Sequence, residues 1–237
     1  FSRKAANFLH EIDIPAFKIG SGEVDNLPLI KHIAGFGRPV ILSTGMQKVE
    51  GVRPAVEILR SAAVPFALLE CSNLYPAPPE IISLKGINEL GAEFPDAIVG
   101  FSDHSIGPYM SIAAVALGAC IIERHLTDTR YRVGPDISCS MDPAELRLLV
   151  DRTKEIHTAL NTQKMRSVKE EAVYGFARGS IVADADLETG TIISESNIWA
   201  RRPGSGEIPA SDYFKLIGRR TKKPIKYNQQ LCWEDLD

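Results

Sequence analysis

Five short apolar runs, each answered by a segment with helical spacing, leave this chain few folds to choose from. The runs are Pro15-Ala-Phe-Lys-Ile-Gly-Ser21, Pro39-Val-Ile-Leu-Ser43, Phe66-Ala-Leu-Leu-Glu-Cys71, Ala97-Ile-Val-Gly-Phe-Ser102 and Cys120-Ile-Ile-Glu-Arg-His125. Near-continuous apolar runs of this length are the signature of strands buried on both faces. Helices are expected at Ser2 to Ile12, Asn26 to Phe36 (Asn26 as its cap), Val49 to Ala62, Pro79 to Phe94 and Gly107 to Gly118. The last of these has Pro near its start and Gly at its end. Asp142, Pro143 and Glu145 then supply a cap, a first position and a capping box for a long helix. Its apolar positions, Leu146, Leu149, Val150, Ile156 and Leu160, repeat with a period near 3.6 residues. Alternating β/α units mean a parallel sheet, open or closed. A closed eight-fold barrel needs three more units, and their natural place is before Phe1.

The texture then changes. Residues 162–176 are polar and mixed in charge and read as a linker. From Ala177 the apolar pieces are short and broken by Gly and Pro: Ser180-Ile-Val-Ala183, Thr191-Ile-Ile193 and Asn197-Ile-Trp-Ala200. The expected organisation is therefore a catalytic part over 1–161, a linker over 162–176 and a small, mostly β domain over 177–237. A net charge of −3 gives no electrostatic case for nucleic acid as a partner. No apolar run reaches the roughly 18–20 residues that span a bilayer, so no membrane partner is expected. Cys71, Cys120, Cys139 and Cys232 form no C-x-x-C pair and read as buried free thiols of a cytoplasmic protein.

The ends of parallel strands are where such folds build sites. Here those ends carry Lys18 and Ser21 with Glu23, then Ser43, then Asn73 and Tyr75, then Ser102 with His104, and last Glu123 with His125. Ser102 and His104 share one parity along their strand, as do Glu123 and His125. Two neutral imidazoles on neighbouring strands suit a divalent metal, with Mn²⁺, Mg²⁺, Co²⁺ and Zn²⁺ all compatible. His10, His32 and His157 fall in helices and are left there. Lys18 inside an apolar strand needs a partner: Glu23, Glu70 or a bound anion. Asp103 reads as a turn residue or as a support for His104. Asp136, after Gly134-Pro135, is either a functional carboxylate or turn chemistry.

These stretches resemble the sialic acid synthase family of bacterial N-acetylneuraminate synthases. The resemblance rests on Phe17-Lys-Ile-Gly-Ser-Gly-Glu23, Leu42-Ser-Thr-Gly-Met46, Cys71-Ser-Asn-Leu-Tyr-Pro76, Ser102-Asp-His104, Ala113-Ala-Val-Ala-Leu-Gly118, Glu123-Arg-His125, Gly134-Pro-Asp136 and Arg202-Pro-Gly204, in that order. It implies the C-terminal five units of a (β/α)8 TIM-type barrel, followed by a small antifreeze-like SAF domain. It implies condensation of phosphoenolpyruvate with N-acetylmannosamine, releasing phosphate. It implies a divalent metal, foremost Mn²⁺ with Mg²⁺ or Co²⁺ as substitutes, on His104 and His125. Lys18, Ser21, Ser43, Asn73, Tyr75 and Ser102 would hold phosphoenolpyruvate, while Glu23, Glu123 and Asp136 would act on the sugar and the proton transfers. Arg202 would serve the sugar site of the other subunit in a domain-swapped homodimer.

Members of that family begin well before the position of Phe1, so roughly three β/α units, on the order of 100 residues, are expected upstream. The loop Gly204-Ser-Gly-Glu-Ile208 departs from the Gly-x-Gly-Ile pattern of many relatives. Two rival readings stand beside this one. Legionaminic or pseudaminic acid synthases would use the same residues on a diacetamido hexose; Thr127-Asp-Thr129 and Asp136 to Met141 look closer to the N-acetylneuraminate branch. A non-catalytic sugar-binding module on a degenerate barrel would have no need of His104, His125, Lys18 and Ser21.

Overall fold

The computed structural model describes residues 2–237, which form two compact units divided between Thr162 and Gln163. In the first unit the five apolar runs become β1 (Phe17–Ile19), β2 (Val40–Ser43), β3 (Phe66–Cys71), β4 (Ile98–Asp103) and β5 (Ile121–Arg124). All neighbours pair in parallel, in sequence order. Parallel neighbours need a crossover, and helices supply them: α1 (Arg3–Glu11) precedes β1, and α2 (Leu27–Ala34), α3 (Val49–Ser61), α4 (Lys85–Glu93) and α5 (Tyr109–Ala116) connect the strands. The long helix α6 (Pro143–Leu160) follows β5. Its capping box closes as expected, Glu145 N donating to Asp142 Oδ1 at 2.9 Å and Asp142 N to Glu145 Oε2 at 3.3 Å.

The sheet is curved. Four strand spacings of about 4.8 Å would place β1 and β5 roughly 19 Å apart in a flat sheet. Instead Lys18 Nζ of β1 lies 3.3 Å from Glu123 Oε2 of β5. A five-stranded parallel sheet bent until its outer strands share an ion pair is a half-barrel of the TIM type.

Alternation sorts each strand into two faces. Phe17, Ile19, Val40, Leu42, Phe66 and Leu68 point outward into a core shared with α2 and α3, through Ile30, Ile33, Val52, Val56 and Leu59. Burial of each such side chain contributes about 1.5–3 kcal/mol. The opposite parity, Lys18, Ser43, Cys71, Ser102 and Glu123, faces the concave side.

Glu70 falls on the outward parity and packs under α4, where Gly86 makes the room: a Cβ there would collide with the Glu70 carboxylate. Burial, with some repulsion from Glu89, pushes the Glu70 carboxyl up to about 7. A carboxyl raised in the fold keeps its proton after the unfolded chain has lost its own. The contribution of Glu70 to stability is therefore fully present below the unfolded carboxyl range and is lost as pH rises through about 7. Glu70→Gln is expected to flatten this slope and to stabilise the protein at pH 8 by about 1–2 kcal/mol, allowing for partial exposure. Urea unfolding at pH 5 and pH 8 measures it; an unchanged slope would contradict the assignment.

Four sequence expectations are corrected. The helix expected over Pro79 to Phe94 is a 3-10 turn at Pro79–Ile81 followed, after an extended Ile82, by α4. Two prolines at 78 and 79 and the β-branched pair Ile81-Ile82 oppose a continuous helix. The 162–176 stretch contains a 3-10 turn at Val168–Glu170 and then α7 (Glu171–Ala177). Thr191 to Ile193 forms no strand, only a single bridge from Ile192 to Arg220. Cys120 is exposed and lies just ahead of β5, its N–H donating to the Val99 carbonyl at 2.8 Å; Cys71 and Cys139 are buried, and Cys232 is half-buried.

The second unit has its own core, in which Ile181, Ile198, Ile208, Leu216, Ile225 and Leu231 are fully buried. Its sheet is β6 (Ser180–Ala183) antiparallel to β7 (Ile198–Arg201), extended by isolated bridges such as Val182 to Gln230. Among the described residues no helix is long and apolar enough to cross a membrane.

Candidate active site

At the C-terminal ends of β1 to β5 the concave face opens into a cavity of about 290 Å³. Nine of the expected residues line it: Lys18, Ser21, Ser43, Asn73, Tyr75, Ser102, His104, Glu123 and His125. A larger groove of about 620 Å³ lies between α2 and α3, but it is mostly apolar and brings only Lys31 and Glu57 as charges. The smaller cavity is the one where polar groups converge, and that convergence marks a site.

One wall is a chain of charge and hydroxyl contacts. Lys18 Nζ donates to Ser43 Oγ at 2.9 Å and to the carbonyl of Ile19 at 3.2 Å. Its carboxylate partner is Glu123, which accepts from Ser102 Oγ at 2.6 Å through the same Oε2. The sequence offered Glu23 and Glu70 as partners, and neither serves. Glu70 has the opposite strand parity, and Glu23 sits in the 3-10 turn after β1, accepting from Asn26 Nδ2 at 2.6 Å. Glu23 lies outside the cavity lining. Lys18 keeps a third of its side chain exposed and belongs to the cavity lining.

The floor is a close approach of three loops. Gly45 N donates to Ser21 Oγ at 3.0 Å, and a Cβ at Gly45 would collide with Asn73 and stand 2.8 Å from the Cys71 carbonyl. Only glycine fits there. Cys71 Sγ donates to Asn73 Oδ1 at 3.4 Å and lies 3.9 Å from His104 Nδ1. Burial pushes the Cys71 thiol up, so it stays protonated. Sequence reasoning passed over Gly45 and Cys71. The signal for Cys71 was its inward parity, two residues before Asn73.

The other wall is aromatic. His104 and His125 have ring centroids 5.3 Å apart, and the Tyr75 ring lies tilted against His104 at 4.1 Å. His104 Nδ1 lies 2.8 Å from the Ser72 carbonyl, and a nitrogen facing a carbonyl carries the proton. That leaves Nε2 of the neutral ring with its lone pair free. Burial holds His104 below the usual histidine range, which favours this neutral form. Asp136 Oδ2 is 3.6 Å from His125 Nδ1, an ion-pair distance beyond a hydrogen bond. Asp136 thus sits beside His125, half-exposed and outside the cavity lining. Among the described residues no three His, Cys, Asp or Glu side chains converge as a complete metal cage. Two imidazoles 5.3 Å apart, one with a fixed tautomer, are donors of the kind an open site would use, with water or substrate completing it. Arg202 lies in the second unit, just after β7, and is described only with that unit.

Asp103 is buried and acts as the turn residue that the sequence offered, while the His104 ring is held by the Ser72 carbonyl instead. It accepts from Ser105 N at 2.8 Å and Ser111 Oγ at 2.6 Å, and pairs with Arg124. The role of Arg124 was not visible in the sequence.

Comparison with known proteins agrees with the fold of both units. Residues 1–165 match the NeuB family and residues 178–237 the SAF domain. The chain is 36% identical over 233 residues to N,N'-diacetyllegionaminic acid synthase of Campylobacter jejuni, covering 97% of this chain and 69% of that protein. It is 33% identical over 234 residues to human N-acetylneuraminate-9-phosphate synthase, covering 98% of this chain and 65% of that one. A crystal structure of the N-acetylneuraminic acid (sialic acid) synthetase of Leptospira borgpetersenii, in complex with citrate, superposes with a TM-score of 0.68 at 34% identity. That match covers 73% of this chain and 61% of the Leptospira chain. The chain thus spans about two thirds of the length of its relatives.

Proposed function

The chain belongs to the NeuB family, and from that premise we propose that its cavity is the condensation site of a phosphoenolpyruvate-dependent nonulosonic acid synthase. One observation supports this most: Lys18, Ser43, Ser102 and Glu123 form a connected anion-side wall that faces the His104–His125 pair across a single opening. An anionic enol ester and a sugar aldehyde need those two environments side by side.

In this reading Lys18 and the hydroxyls of Ser21, Ser43 and Ser102 hold the phosphate and carboxylate of phosphoenolpyruvate. Asn73 and Tyr75 complete that side. Holding C3 of phosphoenolpyruvate against the aldehyde carbon makes the attack effectively intramolecular. The new C–C bond leaves the aldehyde oxygen needing a proton and C2 electron-poor. Glu123, held between Lys18 and Ser102, faces the developing positive charge. Water adds at C2, and the tetrahedral carbon then expels phosphate to leave the 2-keto acid. Asp136 and Glu23 serve the sugar and the proton transfers from the cavity margin. His104 and His125 would hold a divalent metal, Mn²⁺ by preference, which supplies Lewis-acid polarisation of the aldehyde oxygen. Arg202, carried by the SAF domain, serves the sugar site of a second copy in a homodimer; this part rests on the family resemblance.

The proposed acceptor is N-acetylmannosamine. A second reading, a 2,4-diacetamido hexose, is supported by the 36% identity to a diacetyllegionaminic acid synthase. Phosphate release by the protein expressed from its complete coding sequence separates them. Release with N-acetylmannosamine and Mn²⁺, abolished by EDTA, supports the first reading. Release only with the diacetamido hexose moves the acceptor and keeps the site. No release with either sugar, from folded protein, overturns the synthase reading.

A further inference from the structure

We propose that Arg124 is a positioning residue: its guanidinium clamps the two loops that carry His104 and Asp136, and so sets the separation of the two imidazoles. The proposal deepens the reading of the site given above and rests on it for the role of the histidines.

Glu123 and His125 share the inward parity of β5, so Arg124 between them points to the opposite face. There it is buried against Asp103, with side chains 3% and 0% exposed. Nη1 donates to Asp103 Oδ2 at 2.6 Å and to the carbonyl of Gly107 at 2.8 Å. Nη2 donates to the carbonyls of Ser105 at 2.8 Å and Cys139 at 3.3 Å. One planar fork therefore ties together the end of β4, the 104–107 loop and the 137–139 turn. His104 opens the first loop, and Asp136, 3.6 Å from His125, opens the second.

The cluster is built for geometry. A buried ion pair is weak evidence for stability, because desolvation cancels much of the attraction. This one also leaves Arg124 Nε buried without an acceptor among the described residues. A well-packed apolar pair would avoid both costs. What an apolar pair cannot do is fix four acceptors on three segments at hydrogen-bond distance. Lysine carries the same charge on a point and cannot reach them together. Groups that orient the ligands of a site are commonly as important as the ligands.

The test uses the protein expressed from its complete coding sequence and two variants. Arg124→Lys keeps the charge against Asp103 and so folds. Asp103→Asn/Arg124→Met removes both charges and strands neither. Folding is checked by a cooperative thermal melt. The first readout is the histidine-ring NMR spectrum without metal. The ring signals of His104 and His125 are expected to shift or broaden, more in the double variant than in Arg124→Lys, while those of His10, His32 and His157 stay in place. The second readout is Mn²⁺ affinity by titration, expected to weaken by about 10–100-fold. Phosphoenolpyruvate affinity, governed by the other wall, should stay within about threefold. Unmoved His104 and His125 rings in the folded variants would overturn the proposal. If Mn²⁺ leaves the His104 and His125 signals of the unaltered protein untouched, the metal reading fails, and the ring comparison still decides the role of Arg124.

Discussion

Replacing His104 with alanine is expected to lower kcat/KM for the condensation by about 1,000-fold, roughly 4 kcal/mol of transition-state stabilisation. The size follows from what the ring contributes. It presents a free Nε2 because Nδ1 is committed to the Ser72 carbonyl, and burial keeps it neutral. Its removal takes away the ring whose centroid lies 5.3 Å from that of His125 and 4.1 Å from that of Tyr75. The main-chain bond from Ala77 N to the His104 carbonyl, at 2.9 Å, does not depend on the side chain, so the loop keeps its path. Steady-state kinetics with a thermal melt as control measure the effect. A folded variant with near-normal turnover would remove His104 from the chemistry.

The second large effect belongs to Lys18. Lys18→Met is expected to raise KM for phosphoenolpyruvate by about 30-fold, since a charged hydrogen bond to an anion is worth roughly 1.5–3 kcal/mol. Methionine keeps the stem that crosses the concave face and removes only the ammonium. The loss should fall mainly on KM, because Lys18 is assigned to holding the substrate and not to moving protons. Its contact with Glu123 offers a rival role, a structural tie between the first and last strands. A large fall in melting temperature with KM unchanged would establish that tie and contradict the binding role.

The parts of this site differed in how readable they were. The parallel sheet followed from apolar runs alternating with capped helices, and strand parity brought Ser102 and Glu123 to one face. The structure agrees: the two are register partners and share a hydrogen bond. Parity alone could not say how far the sheet bends. The partner of Lys18 therefore looked local, Glu23 or Glu70, when it lies four strands away at Glu123. Curvature is a property of the whole sheet and of the helices packed on it, and no single stretch encodes it. Arg124 was hidden for a related reason. It stands in a run with two site residues, and its partners are backbone carbonyls of loops, which have no side-chain signature. Cys120, expected as a buried thiol, lies one residue ahead of β5 and is exposed.

In the proposed reaction this edge of the sheet joins two carbon skeletons. The most direct measurement is ¹³C NMR of the reaction of phosphoenolpyruvate labelled at C3 with N-acetylmannosamine labelled at C1, in the presence of Mn²⁺. A one-bond coupling between the two labels is expected, growing in step with phosphate release and absent in His104→Ala. Phosphate released without that coupling would mean simple hydrolysis of the enol phosphate, and would contradict the assignment of the cavity as a condensation site.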